Sequence, residues 1–248
     1  EWRVEPVLRV GGEFDDNATL RARTDEEVNL SGFLLDARAD IYYESPTTSF
    51  FVQPRFLSRS YDEESVFDSD DYFLRTNFRR QAERSTIGFR VRYENESVRT
   101  GERSDVDLEI EDPDEFTGDD TGRVVRFGSR NKWRVSPYWE YQLSDLSSIG
   151  ASFDYRDVGY DDAVAQFFPD YSDARVGLNY WRSTSAVTRW GISLTGGRYD
   201  TEDSPETTDG YGASIEMRHD LSEQTRIEAA IGYGEIDEPG SETETDFM

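Results

Sequence analysis

The sequence predicts an all-β fold, an antiparallel up-and-down transmembrane β-barrel, on three observations. Apolar and polar side chains alternate with a period of two through about eleven segments. The connections between segments alternate in length, and aromatic residues gather at segment ends. The bulk numbers fit once the period is recognised. A net charge of -26 with a mean hydropathy of -0.79 would suit a disordered acidic chain, but an aromatic fraction of 14% does not. No apolar run approaches the roughly 20 residues of a helical span. A barrel needs none, because only every second residue meets lipid.

Taken in order, the first segment sets Trp2, Val4, Pro6, Leu8, Val10, Gly12 and Phe14 against Arg3, Glu5, Arg9 and Glu13. In the second, Phe33, Leu35, Ala37, Ala39, Ile41 and Tyr43 oppose Asp36, Arg38, Asp40 and Glu44. The third opposes Phe50, Val52, Pro54 and Phe56 to Gln53, Arg55 and Arg59. The fourth opposes Tyr72, Leu74 and Phe78 to Arg75, Asn77 and Arg79. The fifth opposes Ile87, Phe89, Val91 and Tyr93 to Arg90, Arg92 and Glu94. The sixth is the longest, with Val125, Phe127, Trp133, Val135, Trp139 and Tyr141 against Arg126, Arg130, Lys132, Arg134 and Glu140. Five shorter segments follow at 149–155, 174–180, 190–196, 211–217 and 227–233. The aromatics at segment ends, such as Trp2, Phe14, Tyr43, Tyr72, Trp139, Tyr141, Tyr180 and Tyr233, stand where interfacial girdles belong.

Short polar turns fall at 45–47, 82–84, 144–146, 183–185 and 221–223. Long acidic connections fall at 15–28, 61–71, 95–122, 157–173 and 199–209. This predicts periplasmic turns, extracellular loops and a periplasmic N-terminus, in the bacterial outer membrane. One domain over 1–248 is expected. Single-chain bacterial barrels have an even strand number. Eleven strands, with an acidic tail at 235–248, therefore lead us to expect twelve or more and a barrel incomplete at its C-terminus.

The opening strand followed by Gly11-Gly12-Glu13-Phe14-Asp15-Asp16-Asn17 resembles the β-barrel porin family that includes EpsL-like outer-membrane proteins, whose first strand ends in a similar aromatic-Asp-Asn sequence. The resemblance covers roughly the first forty residues; beyond them only the strand-and-loop pattern is shared. It implies a place in exopolysaccharide export or its outer-membrane assembly. No catalytic residue is attributed to the family, so none is carried over.

The candidate functional residues lie on the polar phase. Arg9, Arg38, Arg55, Arg75, Arg79, Arg90, Arg92, Arg126, Arg130, Arg134 and Arg175 would face the lumen. Their donor forks match carboxylate, sulfate or phosphate. An anionic saccharide could be passed or held there. The alternative is an internal ionic network with Asp36, Asp40, Glu94, Glu140, Asp154 and Glu216.

Two acidic clusters, Asp105-x-Asp107-x-Glu109-x-Glu111 and Asp68-x-Asp70-Asp71, could take Ca2+ or Mg2+. Neither has the EF-hand glycine, and a solvated acidic surface is the competing account. Cations held there could also bridge the loops to lipopolysaccharide. Catalysis is not expected. The only histidine, His219, shares the apolar phase of Met217 and Ile215, although Asp220 and Ser222 are near it in sequence. There is no cysteine for a thiol site, and the acidic balance argues against nucleic acid.

Two functions remain open: a channel for hydrophilic or anionic saccharides, or a non-conducting barrel that docks periplasmic or surface proteins. A soluble β-protein is a further alternative. Lipid and lipopolysaccharide would surround either barrel.

Overall fold

The computed structural model describes residues 1–15, 30–62, 67–98, 128–161, 168–202, 207–222 and 224–237. They form one antiparallel sheet of eleven strands in sequence order. The strands are β1 (Trp2–Asp15), β2 (Leu30–Ser45), β3 (Thr48–Tyr61), β4 (Ser69–Gln81), β5 (Ser85–Ser97) and β6 (Ser129–Ser144), then β7 (Ser147–Tyr160), β8 (Tyr171–Ser183), β9 (Thr188–Thr201), β10 (Thr208–Asp220) and β11 (Arg226–Asp237). Each predicted segment lies within one of them, apart from Val125, Arg126 and Phe127, which fall outside the described residues. The strands run several residues further into the long connections than the alternation implied, because β-pairing continues where the apolar phase has ended. The five short turns stand at one end, together with the N-terminus, whose amine bonds to the carbonyl of Glu44.

Cross-strand register decides which side chains share a face. Trp2 pairs with Tyr43, Tyr43 with Phe50, Phe50 with Phe78 and Phe78 with Phe89, so the apolar phases of β1 to β5 fall together. The same phase continues through Pro137, Val176, Gly196, Tyr211 and Glu235 to the far edge. The result is a single outer face. Ile231 is 75% exposed and Leu8 69%, fractions that no water-facing core element would tolerate in such number.

On this face charge is confined to the strand ends. Arg80 and Arg182 lie at the short-turn end, while Asp70, Asp157, Arg198, Asp200, Asp209, Glu235 and Asp237 lie toward the other. Between these two groups, among the described residues, the outer phase carries no Asp, Glu, Lys or Arg. On β2 the apolar stretch from Phe33 to Tyr43 measures about 33 Å along the strand, or about 25 Å along a membrane normal at a tilt of roughly 40°. That is the height of the hydrocarbon band. Rings pair along both margins, Trp2 with Tyr43 at 4.9 Å and Tyr93 with Trp133 at 4.4 Å.

Two local features show how the sheet tolerates its irregular residues. Proline has no N–H for the ladder, and the β2–β3 register skips the Pro54 step while the β6–β7 register skips the Pro137 step. At both places a side-chain bond from the preceding residue spans the gap. Gln53 donates to Asp40 at 2.6 Å, and Ser136 donates to Asp154. Three inner-face glycines each lie beneath an aromatic ring on a neighbouring strand: Gly32 under Tyr61, Gly88 under Tyr138, and Gly191 under Trp181. The sheet edges are β1 and β11, which run in the same direction. Antiparallel closure between them therefore requires an odd number of intervening strands.

The face assignment predicts a paired result. Leu194→Arg, on the outer face, should cost about 2–4 kcal/mol of stability in phospholipid vesicles, the range for a cation at mid-bilayer depth. Thr195→Arg, one residue on and pointing inward, should cost much less. Urea unfolding followed by tryptophan fluorescence reads both, and equal losses would reverse or abolish the assignment.

Candidate functional site: the arginine-lined inner wall

The inner phase of β1 to β7 carries the long charged side chains. Of the eleven arginines predicted to face inward, nine lie on this stretch, Arg175 lies on the inner face of β8, and Arg126 is outside the described residues. Many are held by carboxylates. Arg55 gives a bidentate pair to Asp36 at 2.8 and 3.1 Å. Arg38 lies 3.9 Å from Asp40, Arg134 3.1 Å from Asp154, and Glu94 sits between Arg92 at 3.9 Å and Lys132 at 3.7 Å.

The wall departs from the sequence reading in two ways. Glu216, expected among the arginine partners, accepts instead from Ser193 at 2.9 Å and Ser214 at 3.4 Å. Near the long-connection end, three carboxylates that the sequence reading did not pair with arginine hold the network. Arg59 lies between Glu13 at 3.3 Å and Asp71 at 3.4 Å, and Arg130 bonds to Glu96 at 2.7 Å. Asp71 is 0% exposed and also accepts from the backbone N–H of Ser97. Glu96 is 3% exposed. Charges this sheltered are stable only while paired.

The unexpected feature is a row of like charges. Arg75 stands opposite Arg92, Arg92 opposite Arg134, and Arg134 opposite Arg156, each in direct cross-strand register. Arg156 completes this row and was missed, because the seventh apolar segment ends at Tyr155 and the residue beyond it looked like the start of a loop. Its Nε is buried and has no hydrogen-bond partner among the described residues. Directly opposed like charges destabilise a sheet by a few tenths to about 1 kcal/mol per pair. Glu94 and Asp154 offset part of that repulsion. A second cationic arrangement lies at the short-turn end, where the guanidinium carbons of Arg189 and Arg218 stand 4.3 and 4.7 Å from the Trp181 ring centroid.

The remaining candidates separate. Asp70 points outward and Asp71 inward, and Asp68 accepts from the N–H of Tyr61 at 2.8 Å, so Asp68, Asp70 and Asp71 do not converge on a cation. Asp105, Asp107, Glu109 and Glu111 lie outside the described residues. Among those described, no group of three or more His, Cys, Asp or Glu is placed to hold a metal. His219 is on the outer face, its Nδ1 2.7 Å from the Thr188 hydroxyl. Asp220 is taken by Arg226 at 2.6 Å, so the dyad conceivable from sequence is not formed.

Removing Arg59 takes the paired cation from a fully buried carboxylate, so Arg59→Ala should lose about 3–5 kcal/mol. Arg198→Ala, which breaks the exposed pair with Asp209, should leave the urea midpoint unchanged. Equal midpoints for the two variants would contradict the pairing.

No protein-family model matches the chain, and no curated protein matches it. Among solved structures it is similar to the outer-membrane-expressed OmpT of Vibrio cholerae, with a TM-score of 0.48 at 7% identity over 95% of this chain and 86% of that one. The in-vitro folded trimer form of that outer membrane protein gives 0.47 at 10% identity, over 99% and 94%. The toluene transporter TodX of P. putida gives 0.42 at 11%, over 93% and 73%.

Proposed function

We propose that this chain is an outer-membrane β-barrel whose arginine-lined interior passes or holds anionic hydrophilic solutes, saccharides foremost. The observation that carries the reading is the row Arg75–Arg92–Arg134–Arg156. A fold that needed only internal neutrality would alternate signs along such a row. Four aligned forks instead offer parallel donors to carboxylate, sulfate or phosphate groups. The charge-free outer band supports a bilayer setting, with the short turns periplasmic and the long acidic connections outside. The likeness of the opening strand to EpsL-like porins supports exopolysaccharide export as the setting. In this reading divalent cations on the acidic loops, with Asp105, Asp107, Glu109 and Glu111 as ligands, tie the barrel to lipopolysaccharide.

A second reading, a non-conducting barrel that docks periplasmic or surface proteins, is favoured by the carboxylate-closed wall of β1 to β5. Planar bilayers distinguish the two. We expect discrete conductance and, in a salt gradient, a reversal potential on the anion-selective side. The double variant Arg92→Gln, Arg134→Gln should shift it toward cation selectivity. A folded protein with no conductance and a stoichiometric co-purifying partner would replace the first reading with the second.

A further inference from the structure

The inner wall changes character along the sheet. From β1 to β7 it carries long charged side chains along its whole height; from β8 to β11 the middle of the wall is mostly glycine, serine and threonine, with long side chains such as Trp181, Arg189 and Arg218 kept toward the short-turn end. Where the two halves meet lies a cavity of about 560 Å³. Register shows its shape. One inner row runs Arg90, Ser136, Asp154, Arg175, Gly197, Gly210 across β5 to β10; its Arg90–Ser136, Asp154–Arg175, Arg175–Gly197 and Gly197–Gly210 steps are direct pairs, and Ser136 reaches Asp154 through its hydroxyl. The row beside it runs Ser152, Gly177, Thr195, Gly212 and Gly234. All of these residues line the cavity. One further step toward the long-connection end stands the arginine row itself. The cavity is therefore a trough that crosses the strands, around the wall and not along the axis. At about 4.8 Å per strand, seven strands span about 29 Å.

Three of the five glycines of this trough are not required by packing; at Gly177 and Gly212 a Cβ would meet Ser152 or Thr195 at 2.7 or 3.0 Å. A Cβ on Gly197 would come no closer than 3.6 Å to another atom, on Gly210 no closer than 3.7 Å, and on Gly234 no closer than 3.6 Å. On Gly88, by contrast, it would meet the Tyr138 ring at 2.5 Å. Glycine weakens a strand, so three open positions in one cavity keep space that side chains would otherwise fill. Two cations face that space. Arg90 is exposed and makes no ion pair among the described residues, and Arg175 remains 71% exposed although it lies 3.0 Å from Asp173.

Resting on the solute reading above, we propose that this trough is a binding site for a short, carboxylate-bearing oligosaccharide lying across the strands. Arg90 and Arg175 take its carboxylates, Ser152 and Thr195 meet its hydroxyls, and the glycine floor admits the sugar rings. Its transverse course suits a ligand that is held on the wall before or during passage.

Calorimetry on the detergent-solubilised full chain tests this with a galacturonic acid trimer, maltotriose as the neutral counterpart, and inorganic phosphate. We expect the trimer to bind and maltotriose to bind at least about tenfold more weakly, since two charge-assisted contacts would be missing. Gly197→Leu and Gly210→Leu should each weaken the trimer by about tenfold or more by occupying the floor. Gly11→Leu, on the same wall of β1 where a Cβ meets nothing within 4 Å, should change it by less than about twofold. Far-UV circular dichroism and gel mobility confirm that each variant folds. The proposal is overturned if maltotriose or phosphate binds as tightly as the trimer, or if folded Gly197→Leu and Gly210→Leu bind like the parent. Conductance separates the two ideas: a conducting parent whose trough variants bind normally sinks the trough alone. A silent parent that binds the trimer at this site sinks the channel and leaves the trough.

Discussion

A chain crossing hydrocarbon has no water to satisfy its amides, so every backbone N–H and C=O must find a neighbour in the same structure. For every strand between the edges β1 and β11 that demand is met by antiparallel neighbours on both sides, and the exceptions show how strict it is. Pro54 and Pro137 sit in central strands, where proline is normally avoided. At each, the skipped step is spanned by a side-chain bond, Gln53 to Asp40 or Ser136 to Asp154. Both bonds lie on the inner face, where polar groups are sheltered from lipid. The prolines themselves point outward, into the apolar phase.

Once the ladder is fixed, the pleat divides the chemistry. Each residue shows lipid or lumen according to parity, so one register error on any strand would move its arginines into the bilayer. The outward arginines that do occur, Arg80, Arg182 and Arg198, are at strand ends, where a long side chain reaches the interface. The inner face can then be used freely. Part of it is closed by buried pairs such as Arg130 with Glu96, and the glycine-rich middle of β8 to β11 leaves room beside the arginine row.

The strands, the short turns and the lipid face were legible because each depends on a period of two within one segment. The number and phase of the segments follow from that period without knowledge of neighbours. Partnerships were not legible, since they depend on cross-strand register. Nothing near Arg130 in sequence marks Glu96 as its partner. Nothing marks Arg59 as the bridge between Glu13 and Asp71, strands apart. The same holds for Glu216, whose neighbours across β9 and β10 are serines. Arg156 was lost for a different reason: the apolar phase fades at Tyr155, while the strand continues to Tyr160. The trough could not be read at all, because it crosses the strands and no single strand carries its pattern.

The chain uses arginine for all but one of its basic residues, Lys132 being the exception, and the inner wall gives that choice a physical consequence. A guanidinium is planar and weakly hydrated on its faces, so it can lie against a ring while its edge still donates. Arg3 lies over Tyr42 at 4.5 Å, Arg55 over Phe73 at 5.6 Å, and two guanidinium groups share Trp181. Ammonium groups, compact and strongly hydrated, would need a water shell or a carboxylate apiece and could not be packed so closely. Flat cations make a row such as Arg75–Arg92–Arg134–Arg156 tolerable with few counter-charges. Side-chain shape thus decides which cation can line a face where cross-strand register sets like charges opposite one another.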